Sequence, residues 1–276
     1  MSSPDAALRE QTALDQRSAP GRPLLTLSGV TKSFGSLRAV DGANFSVASG
    51  SLTALIGPNG AGKTTSFNLI AGTERPDRGE ILFDGRSIAG LAPDQIFRLG
   101  LARTFQVPRP FANMTVLENL MLAPRHQLGE RFANNWFMPS RVRQQEQSLR
   151  ERAAQVLETC ALADKSSDLA GALSGGQQKL LELARVLMID PRLILLDEPA
   201  AGVNPALLET LIDRVRFLNR QGITFLLIEH NMDMVMRLCD PVIVMAQGQV
   251  LVQGTPAQVR EDPRVIDAYL GEVGPA

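Results

Sequence analysis

The stretch Ser51-Leu52-Thr53-Ala54-Leu55-Ile56-Gly57-Pro58-Asn59-Gly60-Ala61-Gly62-Lys63-Thr64-Thr65-Ser66 decides the fold. Its opening run, Leu52 to Ile56, is short and apolar and reads as a buried strand. Gly57 to Thr64 then matches G-x-x-x-x-G-K-[ST] at every fixed position, and Thr65 to Ala71, carrying Phe67, Leu69 and Ile70, winds as a helix. Glycines let backbone N–H groups converge on phosphate oxygens with no Cβ in the way. The helix start turns its positive end toward the same anion. In that frame Lys63 reaches the β- and γ-phosphates and the Thr64 hydroxyl binds Mg²⁺. A plain glycine turn with a solvated lysine would need neither flanking element. The stretch therefore marks a nucleoside-triphosphate site.

Working outward, the whole chain bounds what such a site can serve. Its 276 residues suffice for one large or two small domains. Basic and acidic residues number 28 and 29, a net charge of −1, which argues against a nucleic-acid surface. Cys160 and Cys239 are isolated, flanked by apolar residues and without metal-ligand spacing, which suits a reducing compartment. No signal-like apolar segment lies near Met1, and no apolar run approaches the roughly 18 residues of a membrane span. The expectation is a soluble cytosolic chain, or one held on a membrane only by a partner.

Residues Met1 to Pro23 are small and polar and read as a disordered arm. Leu25, Leu27 and Val30, then Phe45 and Val47, then the run before the glycine loop suggest an antiparallel β-layer. Phe34, in the turn Lys32-Ser33-Phe34-Gly35, is either a turn plug or, beside a nucleotide site, a platform for adenine. Gly79 to Gly85 is a further strand, and Pro93 to Leu101 reads as helical. Asn113 to Leu122 reads as a helix with a Thr115/Glu118 capping box. Arg141 to Ala161 forms an amphipathic helix with Leu149, Ala153, Val156, Leu157 and Cys160 on one face. His126, in an irregular stretch with Trp136, reads as an exposed loop histidine. Gln106 to Ala172 thus looks like a mainly helical insert in an α/β chain.

A second glycine-rich helix start follows at Leu173-Ser174-Gly175-Gly176-Gln177, either a simple N-cap by Ser174 or a second anion cradle. Beyond it, Leu193 to Leu196 ends in Asp197-Glu198. That pattern describes a buried parallel strand whose carboxylates emerge at the edge where open α/β sheets bind ligands. Asp197 can hold Mg²⁺ through water, and Glu198 can act as base on an attacking water. Pro205 to Asn219 reads as a helix and Ile223 to Ile228 as another buried strand. The latter ends at Glu229-His230, where the histidine is either a satisfied structural residue or, opposite the phosphate loop, a site residue, the reading favoured here. Met232 to Leu238 is helical, Val242 to Met245 and Val250 to Val252 form a hairpin around Gln247-Gly248, and Thr255-Pro256 opens a short helix.

In this order, these motifs resemble those of the ATP-binding-cassette superfamily, from Leu24 to about Glu272. The resemblance implies a P-loop α/β ATPase domain with an N-terminal antiparallel β-subdomain and a helical subdomain at about 106–172, between an arm (1–23) and a tail (273–276). It assigns the aromatic loop to Phe34, the Walker A loop to Gly57 through Thr65 and the Q-loop, a γ-phosphate and Mg²⁺ sensor, to Gln106. It assigns the signature to Ser174, Gly175, Gly176 and Gln177, the Walker B aspartate to Asp197, the catalytic carboxylate to Glu198 and the switch histidine to His230. It implies ATP and Mg²⁺ as cofactors and a head-to-tail pair of cassettes, each signature facing the other chain's nucleotide. A narrower likeness is to ATPases of branched-chain amino-acid importers, carried by Arg103-Thr104-Phe105-Gln106, Glu198 to Pro205 and Ala268-Tyr269-Leu270-Gly271-Glu272. Asn204 departs from the aspartate usual in its loop.

That likeness implies a second cassette, two integral-membrane permease subunits, a periplasmic binding protein acting indirectly, and a place on the cytoplasmic face of a bacterial inner membrane. Rival readings are a soluble cassette ATPase acting on nucleic acid or ribosomes, or the ATPase of an amide or lipopolysaccharide transporter. The first of these usually has two cassettes or a long coiled-coil insert and basic surfaces, which this chain lacks. Phe111, Met114, Val116 and Leu117 form an apolar start to the insert, expected to receive a short helix of a permease.

Overall fold

The structure is a computed structural model that describes residues 21–104, 109–124 and 139–270. The expectations for the arm before residue 21, Gln106, His126, Trp136 and the tail after 270 lie outside the described residues. The chain divides into two units, one of residues 21–102, 192–198 and 217–270, the other of 103–104, 109–124, 139–191 and 199–216.

The first unit is built on two sheets. Strands β1 (Pro23–Phe34), β2 (Leu37–Ala48), β4 (Arg78–Phe83) and β5 (Arg86–Ser87) form an antiparallel sheet in the order β2-β1-β4-β5. Its alternating residues Leu25, Leu27, Val30, Phe45, Val47, Ile81 and Phe83 are all buried, as a one-sided antiparallel layer requires.

The second sheet has the order β10-β9-β3-β8-β7-β6, with β3 (Leu52–Ile56), β6 (Leu101–Arg103), β7 (Leu193–Asp197), β8 (Thr224–Ile228), β9 (Val242–Ala246) and β10 (Gln249–Gly254). Here the reading of the N-terminal layer needs correction. The run before the glycine loop does not join the antiparallel layer; β3 pairs in parallel with β8 and β9. All five residues of each of β3, β7, β8 and β9 are buried, the signature of strands covered on both faces. The expected hairpin at Gln247-Gly248 adds β10 antiparallel to β9. Helix α1 (Lys63–Ile70) buries Phe67, Leu69 and Ile70 in the same core. Helix α2 (Pro93–Arg98) is shorter than expected, because the chain turns at Leu99-Gly100 and Leu101 opens strand β6.

In the second unit, helices α3 (Val116–Met121), α4 (Pro139–Thr159) and α5 (Gly175–Leu187) pack on one another. Helix α3 starts later than the sequence suggested, at the Thr115 cap. The Thr115 hydroxyl accepts from Glu118 N–H at 3.2 Å, and the Glu118 carboxylate accepts from Thr115 N–H at 2.7 Å. That second bond holds the Glu118 carboxyl below its usual range. On α4, Ala153 and Leu157 are buried with Cys160 just beyond, while Leu149 and Val156 are half-buried. Val116 is fully buried and belongs to the core of the unit, not to an apolar surface; Phe111 stays half-exposed. Burial pushes the Cys160 thiol up to about 12. Helix α6 (Pro205–Arg220) follows in the chain, and α7 (Met232–Leu238), α8 (Pro256–Glu261) and α9 (Pro263–Leu270) belong to the first unit. Among the described residues no helix is long and apolar enough to cross a membrane.

Candidate functional site

The glycine loop leaves β3 at Gly57 and enters α1 at Lys63. Its two end glycines are fixed by the protein's own packing as much as by any ligand. At Gly57 (φ +147°) a Cβ would stand 2.0 Å from the Met245 carbonyl oxygen, and at Gly62 (φ +95°) 2.3 Å from that of Ala39. No L side chain fits such spaces. Helix α1 begins without a side-chain cap and with no acidic residue in its first turn, so no carboxylate of its own offsets the positive end of the helix. The Lys63 side chain folds back over the loop and is buried. Its ammonium donates to the Gly57 carbonyl at 2.6 Å and the Pro58 carbonyl at 2.7 Å.

Two neighbouring strands deliver the acid and base groups. Asp197 ends β7 and is buried; its neighbour in the sheet is Ile228 at the end of β8. Glu198 takes a left-handed backbone (φ +48°), while its N–H still donates to the Ile228 carbonyl at 2.9 Å. That turn swings the carboxylate to His230, with Glu198 Oε1 3.3 Å from His230 Nε2. The loop holding His230 is fastened by Glu229, a residue the sequence reading passed without a role. Its buried carboxylate accepts from the N–H groups of His230 (2.7 Å) and Asn231 (2.9 Å), and Asn231 caps α7 in turn. The only hint in the sequence was an acidic residue beside a histidine at a strand end.

These parts meet in one cleft of about 540 Å³ within the first unit, lined by Phe34, Asn59 through Thr65, Glu198 and His230. Leu37, Arg38, Ala39 and Gln247 complete its walls; the sequence reading did not assign them to the site. Gly57, Pro58 and Asp197 are not among the walls.

Ser174 through Gln177 belong to the second unit and do not line this cleft. Ser174 caps α5, accepting from Gln177 N–H at 3.4 Å while Gln177 accepts from Ser174 N–H at 2.9 Å. Gly176 packs against Leu207 and Val203, whereas a Cβ on Gly175 would meet open space. Lys179 is committed elsewhere, donating to the carbonyls of Pro199 (3.1 Å) and Ala201 (2.7 Å). Asn204 caps α6 by accepting from Leu207 N–H at 2.9 Å, so the neutral amide still does the capping work of an aspartate.

Residues 40–201 match the ABC transporter family, and residues 249–274 match a C-terminal segment described as belonging to branched-chain amino acid ATP-binding cassette transporters. The chain is 45% identical over 254 residues to the high-affinity branched-chain amino acid transport ATP-binding protein BraF of Pseudomonas aeruginosa, covering 91% of this chain and 99% of that protein. It is 43% identical over 253 residues to LivG of Escherichia coli K12, described in the same words, with the same coverage. Among solved structures, it resembles the ADP conformation of an ATP-binding cassette of an ABC transporter, with a TM-score of 0.77 and 38% identity. That match covers 90% of this chain and 99% of the other.

Proposed function

This chain belongs to the ABC transporter family of ATP-binding cassettes, and on that premise we propose that it is the ATPase subunit of an importer for branched-chain or related amino acids. The observation that carries the ATPase reading is the meeting of the Asn59–Thr65 loop with Glu198 and His230 in one cleft. The substrate class rests on the match over 249–274 and on the likeness to the branched-chain amino acid transport ATP-binding proteins BraF and LivG.

Each residue then has a task. Phe34 stacks on adenine. The loop N–H groups of Gly60 through Thr65 hold the phosphates, and Lys63 exchanges its two carbonyl partners for β- and γ-phosphate oxygens. Thr64 and Asp197 offer a hydroxyl and a carboxylate, hard oxygen donors of the kind Mg²⁺ takes. Among the described residues no cluster of three His, Cys, Asp or Glu side chains gathers as a metal cage. Mg²⁺ keeps several waters and uses few protein ligands beside the phosphates. When bound, the ion neutralises charge building on the transferred phosphoryl group. Glu198 takes the proton of the attacking water, and His230, 3.3 Å away, fixes the carboxylate's direction. Gln106 would complete the γ-phosphate contacts.

The helix start at Ser174 through Gln177, with open space at Gly175, serves the nucleotide of a second cassette in a head-to-tail pair. Two permease subunits on the cytoplasmic face of the inner membrane receive the movement, and a periplasmic binding protein acts through them. We place the cassette domain at 24–272, with its helical subdomain at about 106–172. The test replaces His230 by Ala and Glu198 by Gln in the assembled complex. ATP binding should persist while hydrolysis falls by about 10²- to 10⁴-fold, the usual worth of a positioned base. Native turnover in either variant would remove that residue from the mechanism.

A further inference from the structure

Beside Phe34 lies a cation that the ATPase reading leaves without a task. The Lys32 ammonium stands 5.1 Å from the centroid of the Phe34 ring. It also pairs with Glu74 Oε2 at 3.5 Å and Asp77 Oδ1 at 3.8 Å, and its side chain is only 14% exposed. Phe34 itself is 45% exposed and lines the cleft, whereas Lys32 does not. The ammonium thus meets the ring from outside the cleft walls, while the ring itself stays open to the cleft.

The anchorage of this pair is unusual for a hairpin tip. The pairing of β1 with β2 shifts register on both sides of Lys32, which re-aims the end of the strand. Asp77 accepts from Ser33 N–H at 2.7 Å through Oδ2, and its own N–H donates to the Thr31 carbonyl at 2.8 Å. Glu74 and Asp77 follow the far end of α1, the helix that opens with Lys63 and Thr64. The aromatic ring is thus tied through Lys32 to the segment that follows the helix presenting the phosphate loop.

We infer that Lys32 is a positioning residue for the nucleotide base: its ammonium holds the Phe34 ring at a fixed height over the phosphate loop and draws π density away from the face that meets the base. A cation on one face makes the opposite face a better partner for an electron-rich purine, and a ring already held in place loses less freedom on stacking. Lys32 is not among the cleft walls, so its influence on a ligand runs through the ring and is confined to ligands that carry a base. This rests on the cleft being the ATP site.

The test compares MgATP with magnesium tripolyphosphate, which has the phosphates and no base, for binding to the purified chain. Lys32→Met keeps the length of the side chain and removes the charge. It should weaken ATP about 2- to 5-fold, the lower end of what a cation–π contact is worth, since the cation acts on the base only through the ring, and leave tripolyphosphate unchanged. Lys32→Arg should restore most of the ATP affinity. In a Phe34→Ala background Lys32→Met should have no further effect on ATP. Equal weakening of both ligands would assign Lys32 to the phosphates or to the fold, and would overturn the proposal. So would unchanged ATP affinity in Lys32→Met, or a wild-type chain that binds ATP no tighter than tripolyphosphate. A wild-type chain that binds neither would refute the ATP-site reading itself, a result distinct from these.

Discussion

Glu198 offers a prediction in which stability and activity part company. The residue sits at φ +48°, a left-handed conformation that costs a non-glycine residue about 1–2 kcal/mol. Replacement by Ala keeps that cost and removes the carboxylate. Replacement by Gly removes the carboxylate and the cost together, against about 0.5–1 kcal/mol of extra backbone entropy lost on folding. The pair with His230 disappears in both variants, as both keep the N–H bond to the Ile228 carbonyl, so these terms cancel in the comparison. The Gly variant should therefore be more stable than the Ala variant by about 0.5–1 kcal/mol, about 1–2 °C in melting temperature for a chain of this size. Both should hydrolyse ATP about 10²- to 10⁴-fold more slowly, an increase of about 3–5 kcal/mol in the barrier. Paired urea unfolding curves and single-turnover hydrolysis measure the two quantities. An Ala variant as stable as the Gly variant would show that the backbone holds no strain at this position, and the reasoning would fail. Retained turnover in either would strip Glu198 of its role as base.

Three further outcomes are expected. Lys63→Ala removes a buried ammonium with two carbonyl partners, so MgATP affinity measured by calorimetry should fall at least about 10-fold, the loss of a charge-assisted contact; binding within twofold of wild type would contradict the assignment. Phe111→Glu places a charge on a half-exposed ring backed by Arg185 at 5.2 Å, and should reduce transport and stimulated hydrolysis by the assembled complex while leaving ATP binding to the isolated chain intact; unchanged transport would sink the docking surface. Both cysteines are buried, the Cys160 thiol pushed up to about 12 and the Cys239 thiol raised by burial and by Glu229, so few thiolates exist at pH 8. Maleimide should label neither in the native chain and both after unfolding in denaturant, and rapid native labelling would refute their burial.

The features that the sequence disclosed are those fixed by local chemistry. The Gly57–Thr64 motif, the caps at Thr115, Ser174 and Thr255, and the mainly apolar strands ending at Asp197 and Ile228 need no distant information. What depended on partners remote in the chain was harder to read. An all-buried run such as Leu52–Ile56 does not name its neighbours, and β3 joins strands more than a hundred residues downstream. Val116 looked like surface because its own short helix does not reveal that it packs on α4 and α5, and the residue is fully buried. Leu101 had no periodicity to separate a three-residue edge strand from the end of a helix. Glu229 acts through backbone N–H groups, which leave no pattern in sequence. Arg38 and Gln247 reach the cleft only because two hairpin turns fold toward the same loop.

The most direct measurement of the central claim is uptake of radiolabelled leucine into proteoliposomes. They would hold this chain with the membrane subunits that co-purify with it, MgATP on the side of the cassettes and a binding protein on the other. Leucine should accumulate only with hydrolysable ATP, unlabelled isoleucine or valine should compete, and a complex carrying Lys63→Ala should give no uptake. A complex that hydrolyses ATP yet moves leucine, isoleucine and valine no faster with ATP than without would contradict the assignment to branched-chain amino-acid import.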